Sequence, residues 1–213
     1  MFSKPYARQG KKVVGWLAIG LEFYLTLARP RVEGVAPTDR IIRFFSYFTI
    51  LTNLLVAIAT TAIAFFPQSR FGKFFSRPTV ETAIAVYITI VGVVYSLLLR
   101  ESLTGLWAVA NHAVHDVIPI AFVVYWFLCT PKAGLKWADP AKWLVYPILY
   151  FAYSLIHGAY TNWYPYNFAD MKALGYAVGL RNAGLVLASF FVLGLVFVAV
   201  GRTFSRTAKA LSN

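Results

Sequence analysis

The sequence predicts an all-α polytopic membrane protein, one integral domain over residues 1–213 built as a six-transmembrane-helix bundle. Three observations carry that expectation. Hydrophobic residues make up 59% of the chain, well above the share usual in soluble domains. The charged residues, only 13%, fall in short segments between long apolar runs. No ten-residue alternation of the outer-membrane-barrel kind is present.

The runs cover 13–28, 44–66, 80–99, 112–130, 143–158 and 177–200. At about 1.5 Å per residue, each spans or nearly spans a hydrocarbon core of about 30 Å. The first follows a basic stretch, MFSKPYARQGKK, and is followed by charges rather than a small-residue cleavage site, so it reads as a retained span. The second opens with FFSYFTILTN at 44–53. The fourth opens with NHAVHD at 111–116, where Asn111 fits a helix cap. Pro67, Pro78 and Pro131 fall between runs, as helix-ending prolines should. Pro119 and Pro147 lie inside runs and predict kinks that packed neighbours tolerate.

A net charge of +12 raises nucleic acid as a partner, but the cations sit in loops and tails, where they orient a chain in a membrane. Those on the side of the two termini outnumber those on the other, which include Arg29, Arg31, Arg40 and Arg43. Both termini are therefore expected in the cytoplasm. Cys129 is the one cysteine, so no disulfide forms within the chain. No cofactor and no metal are expected.

With that topology, Glu22, Thr49, His112, His115, His157, Arg181 and Asn182 all fall towards the outer end of their runs. Ionisable groups inside a membrane usually mark a site. Thr49 and Asn53, four apart, share a helix face, with Thr52 beside them. Threonine in a membrane helix most often back-bonds to the preceding turn; as a nucleophile it needs a base, usually histidine. His112 and His115, three apart, offer one. Trp163, Tyr164 and Tyr166 fit an interfacial aromatic belt, which has no need of His157. Glu22 and Arg181 fit either a structural ion pair or a substrate role.

Tyr47-Phe48-Thr49, the Asn-His-x-x-His run at 111–115 and the block His157…Trp163-Tyr164-Pro165 together resemble the androgen-induced and androgen-dependent TFPI-regulating membrane proteins, and still more their bacterial six-helix relatives. The resemblance covers most of the chain and implies a bacterial inner membrane as the setting. It implies a membrane threonine hydrolase acting on fatty acid esters of hydroxy fatty acids. Thr49 then stands at the position of the nucleophile and His115 at that of the catalytic histidine. The chain departs from the animal pattern in having Thr52 three residues after the nucleophile and Asp116 after the second histidine.

The expected chemistry is acyl transfer to Thr49 with His115 as general base, then attack by water. Asn53, Asn111, His112 and Asn162 are the oxyanion candidates, with His157, Trp163, Arg181 and Asn182 near the substrate. The partners expected are a lipid ester substrate and membrane lipids, and no nucleic acid. Two other classes fit the same residues. A zinc hydrolase or amidase would draw ligands from His112, His115, His157 and Asp116. A transporter or small-ligand binder would carry polar residues through to the inner side.

Overall fold

The computed structural model describes the backbone over 6–28 and 36–210, with side chains over 15–28 and 36–205. Arg29 and Arg31, used above for orientation, lie outside the described residues. The chain forms two compact units, Met1–Thr130 and Pro131–Asn213, a division with no counterpart in the row of apolar runs. All regular structure among the described residues is helical. Four helices are long and apolar enough to cross a membrane: Phe48–Phe65, Pro78–Leu99, Gly105–Cys129 and Met171–Ser205. The first run contributes a shorter apolar stretch, Gly15–Ala28, and the fifth a helix of 17 residues.

The first unit begins with α1 (Tyr6–Ala28) and α2 (Pro37–Ser46). The apolar run at 44–66 is not one helix. It breaks at Tyr47 (φ −78°, ψ 128°), and α3 (Phe48–Phe65) starts afresh. Phe44 to Thr49 are six consecutive aromatic or hydroxyl residues of modest helix propensity, so tertiary packing decides their path. Phe44 packs edge-on to Phe23, 5.1 Å between ring centroids. Together with Ile19, Ile50 and Ala57 these rings tie α1, α2 and α3 into one cluster. Trp16 Nε1 adds a hydrogen bond to Thr61 Oγ1 at 3.1 Å.

A short helix, α4 (Arg70–Phe75), joins α3 to α5 (Pro78–Val94), which runs into a π-turn at Tyr95–Leu99. Then follow α6 (Gly105–His112), a second π-turn (Ala113–Val117) and α7 (Ile118–Cys129). The fourth apolar run therefore does not open at His112; the helix begins at Gly105 and Asn111 lies within it, not at its cap. The second π-turn has a local cause. Pro119 carries no N–H, so the His115 carbonyl lacks its α-helical donor. The ladder shifts by one, and the Ile118 N–H donates to the Ala113 carbonyl.

At the other end of α5, Thr130 Oγ1 donates to the buried Glu81 Oε2, and Trp126 Nε1 donates to Thr82 Oγ1 at 2.9 Å. Glu81 and Thr82 are buried a full helix length from Tyr95. Buried polar groups thus occur at both ends of α5, not at the single depth expected.

The second unit comprises α8 (Asp139–Trp143), α9 (Val145–Thr161), a 3-10 turn (Asn167–Ala169) and α10 (Met171–Ala210). Asp139 Oδ2 accepts from the Lys136 N–H, and Arg202 Nη1 donates to the Leu135 carbonyl, each at 2.9 Å. α10 is broken at Gly175 (φ 74°, ψ 157°), a conformation that side chains resist.

Gly158 admits the ring of Tyr164: a Cβ there would stand 2.1 Å from Tyr164 Cε1, whereas one on Gly184 would meet nothing within 4 Å. Gly158→Ala is expected to cost about 1–3 kcal/mol by overpacking. Gly184→Ala should be neutral or stabilising by up to about 1 kcal/mol. Thermal unfolding of the two variants in detergent checks this; equal midpoints would contradict the packing at Tyr164.

Candidate functional site

The break at Tyr47 places Thr49 in the first turn of α3, one residue beyond the helix start rather than a turn and a half inside a longer span. The first N–H groups of any helix have no partner within it and point along its axis, so a helix start is a ready source of backbone donors. Thr49, Thr52 and Asn53 are all buried, consistent with a stripe turned towards protein.

Asn53 holds the site together. Its Nδ2 donates to the Thr49 carbonyl at 2.9 Å, one turn back, and to the Val114 carbonyl at 3.1 Å, across on the π-turn. Both of its amide hydrogens go to backbone oxygens, which leaves none for an oxyanion. Asn53 Oδ1 is buried with no hydrogen-bond partner among the described residues. The two bonds fasten the start of α3 to the residue preceding His115.

His115 is oriented by two contacts, and a third braces the partners that make them. Its Nδ1–H donates to the Asn111 carbonyl at 3.0 Å. Its ring stacks on Tyr95, 3.9 Å between centroids and 15° between planes. Asn111 Nδ2 in turn donates to the Tyr95 hydroxyl at 2.7 Å, closing the triangle. A carbonyl can only accept, so the proton of a neutral His115 sits on Nδ1 and the lone pair on Nε2. Among the described residues Nε2 makes no hydrogen bond. Gly92 lets α5 come this close: a Cβ there would stand 3.2 Å from the His115 carbonyl oxygen and from Pro119 Cβ.

His112 points elsewhere. It is exposed, and its Nδ1–H donates to Asp116 Oδ2 at 2.6 Å. Asp116 Oδ1 accepts from Arg100 Nη2 at 2.8 Å. Arg100 also reaches Ser96 Oγ at 3.1 Å, and its guanidinium lies 5.2 Å from the centre of the Tyr95 ring. This cluster rims the site without entering it. No group of three or more His, Cys, Asp or Glu side chains among the described residues is placed to hold a metal ion. Asp116 is spent on Arg100 and His112, and His115 Nδ1 on Asn111.

The remaining sequence candidates belong to the second unit. His157 lies between Tyr153 and Trp163, with centroids at 5.6 and 5.7 Å. Thr161 Oγ1 donates to the His157 carbonyl at 2.8 Å. Asn162 is the left-handed C-cap of α9 (φ 56°), a backbone role. Asn182 Nδ2 donates to the Phe168 carbonyl at 2.8 Å and pins the 3-10 turn to α10. Arg181 is exposed.

Tyr95 and Arg100 carry weight that sequence reasoning did not give them. Tyr95 reads as one more aromatic in an apolar run and Arg100 as a loop cation. The available signal was a polar-tipped ring five residues before the charge that ends the span. Comparison of this chain with protein-family models, with characterised proteins and with solved structures gives no match.

Asn53→Ala removes the side-chain donor of the buried Val114 carbonyl, while the Thr49 carbonyl keeps its helical bond, and is expected to cost about 1–3 kcal/mol. Among the described residues Thr60 bonds only within its own helix, to the Val56 and Ala57 carbonyls, so Thr60→Ala should cost well under about 1 kcal/mol. Thermal midpoints of the two variants measure the difference, and equal losses would refute the clamp.

Proposed function

We propose that this chain is an intramembrane lipid ester hydrolase that uses Thr49 as nucleophile and His115 as general base. The observation that supports it is the placement of His115. Its Nδ1 is occupied by a carbonyl, its ring is held by Tyr95, and Nε2 is left open. That imidazole stands beside the segment that Asn53 fastens to Thr49. A base needs its accepting nitrogen unspent and its ring fixed, and both conditions hold here.

In the proposed reaction Nε2 takes the Thr49 hydroxyl proton as Oγ attacks the ester carbonyl. The tetrahedral intermediate collapses to an acyl-threonine and expels the alcohol, which takes up the proton from Nε2. Water, activated by the same nitrogen, then releases the acid and regenerates Thr49. With the Asn53 amide committed, the second Asn111 amide hydrogen is the better oxyanion donor. Fatty acid esters of hydroxy fatty acids, or similar acyl esters, are the proposed substrates, entering from the bilayer. We further propose six spans, with α1 and α9 completing the four long helices, both termini cytoplasmic and a bacterial inner membrane as the location.

The test is covalent labelling followed by a three-way comparison at position 49. A serine/threonine-directed fluorophosphonate should leave its adduct on Thr49. Thr49→Ala and Thr49→Val should abolish ester hydrolysis in folded protein, while Thr49→Ser keeps part of it. Near-parental turnover by the valine variant would make Thr49 a packing residue and restore the zinc-activated water as the alternative.

His115 and His157 should also differ. His115→Ala should lower kcat by two orders of magnitude or more, in line with loss of a general base. His157→Ala should act mainly on KM. Equal and complete loss in both folded variants would instead point to shared metal ligation.

A further inference from the structure

The link at 66–77 connects α3 to α5, two successive helices each long and apolar enough to cross a membrane. It must therefore run along one membrane face, and α4 must lie at the lipid–water boundary. The helix is anchored from below: Phe75 and Gly72 are buried, and Ser69 Oγ accepts the Gly72 N–H at 3.0 Å to fix the first turn.

What α4 leaves exposed is of two kinds. Phe71 is 69% and Phe74 45% exposed, and Phe65 and Phe66 continue the apolar surface from the end of α3. Arg70, Lys73 and Arg77 are exposed as well. Arg70 and Phe74, four apart, share one side of the helix; Lys73 and Phe71 flank them on opposite sides. Cations thus lie along one edge of the exposed face and phenyl rings along the other. Arg77 adds a guanidinium 5.6 Å from the Phe74 ring centre. None of the three cations enters an ion pair among the described residues, and the link itself contains no acid.

An apolar edge set into acyl chains beside three uncompensated cations is the arrangement by which interfacial helices take up anionic lipid. We infer that α4 and Arg77 form a binding site for the phosphate headgroup of an anionic phospholipid, seated on Arg70, Lys73 and Arg77 with its acyl chains against Phe71 and Phe74. The ligand is a membrane lipid rather than a soluble phosphate, because the aromatic half of the surface has no use for an ion alone. The inference stands independently of Thr49 and His115.

The test uses the full chain in nanodiscs of phosphatidylcholine containing phosphatidylglycerol, with retained lipid counted by native mass spectrometry. The parental protein should keep phosphatidylglycerol in preference to phosphatidylcholine. The variant Arg70→Gln/Lys73→Gln/Arg77→Gln should weaken that preference by roughly fivefold per cation, on the order of a hundredfold if the three act additively. Lys172→Gln, a cation elsewhere, should leave it unchanged. If the triple variant does not fold, Arg70→Gln alone should still show its roughly fivefold loss. Retention equal to the parental protein in the triple or the single variant overturns the site. So does an equal loss with Lys172→Gln, or displacement of the lipid by millimolar glycerol phosphate, which would mark a soluble-phosphate site.

Discussion

One buried amide governs how the first unit is arranged. Asn53 Nδ2 spans from the Thr49 carbonyl to the Val114 carbonyl, joining the start of one apolar helix to an irregular turn in another. Apolar side chains alone would let α3 slide or rotate against that turn at little cost, since lipid tails compete equally well for the same surfaces. A hydrogen bond between fixed carbonyls cannot slide. Because Oδ1 of the same amide is buried without a partner among the described residues, the clamp carries a penalty, and the geometry it enforces must offset that penalty.

Around this clamp the polar side chains divide into an inner and an outer group. Asn111, Tyr95 and His115 form a closed set in which each contact fixes another: carbonyl to Nδ1, amide to phenol, ring on ring. Arg100, Asp116 and His112 form a second set at the rim, where the carboxylate is shared between two cationic or potentially cationic neighbours. The two sets meet at Tyr95, whose ring lies near both His115 and Arg100. Asp116 adjoins His115 in sequence yet serves the rim, bonded to Arg100 and His112 rather than to that imidazole.

Much of this was legible in the chain, for identifiable reasons. Long apolar stretches fold as helices in lipid because no other element satisfies its own backbone there, so the all-helical outcome follows from composition. Thr49 and Asn53 meet because residues four apart on a helix must. The break at Tyr47 was not legible, since no glycine or proline marks it and Phe44 is drawn aside by Phe23 in a distant part of the chain. Tyr95 escaped notice because its partner, His115, is twenty positions away. Glu81 was the opposite kind of omission: an acid at the head of an apolar helix is a visible signal, and its bond to Thr130 gives it a structural use.

The π-turn at Pro119 has a consequence for chain length. Inward residues on this path run from Ala110 and Asn111 to Ile118 and Pro119, then to Tyr125 and Trp126. The first interval takes eight residues (110 to 118) and the second seven (118 to 125), each covering two turns. The segment holding His115 is therefore one residue longer than a straight α-helix would need to join the same two faces. A related chain lacking the proline would be expected to lack that residue as well, and to show a single-position gap near His115 where the proline-bearing chain does not.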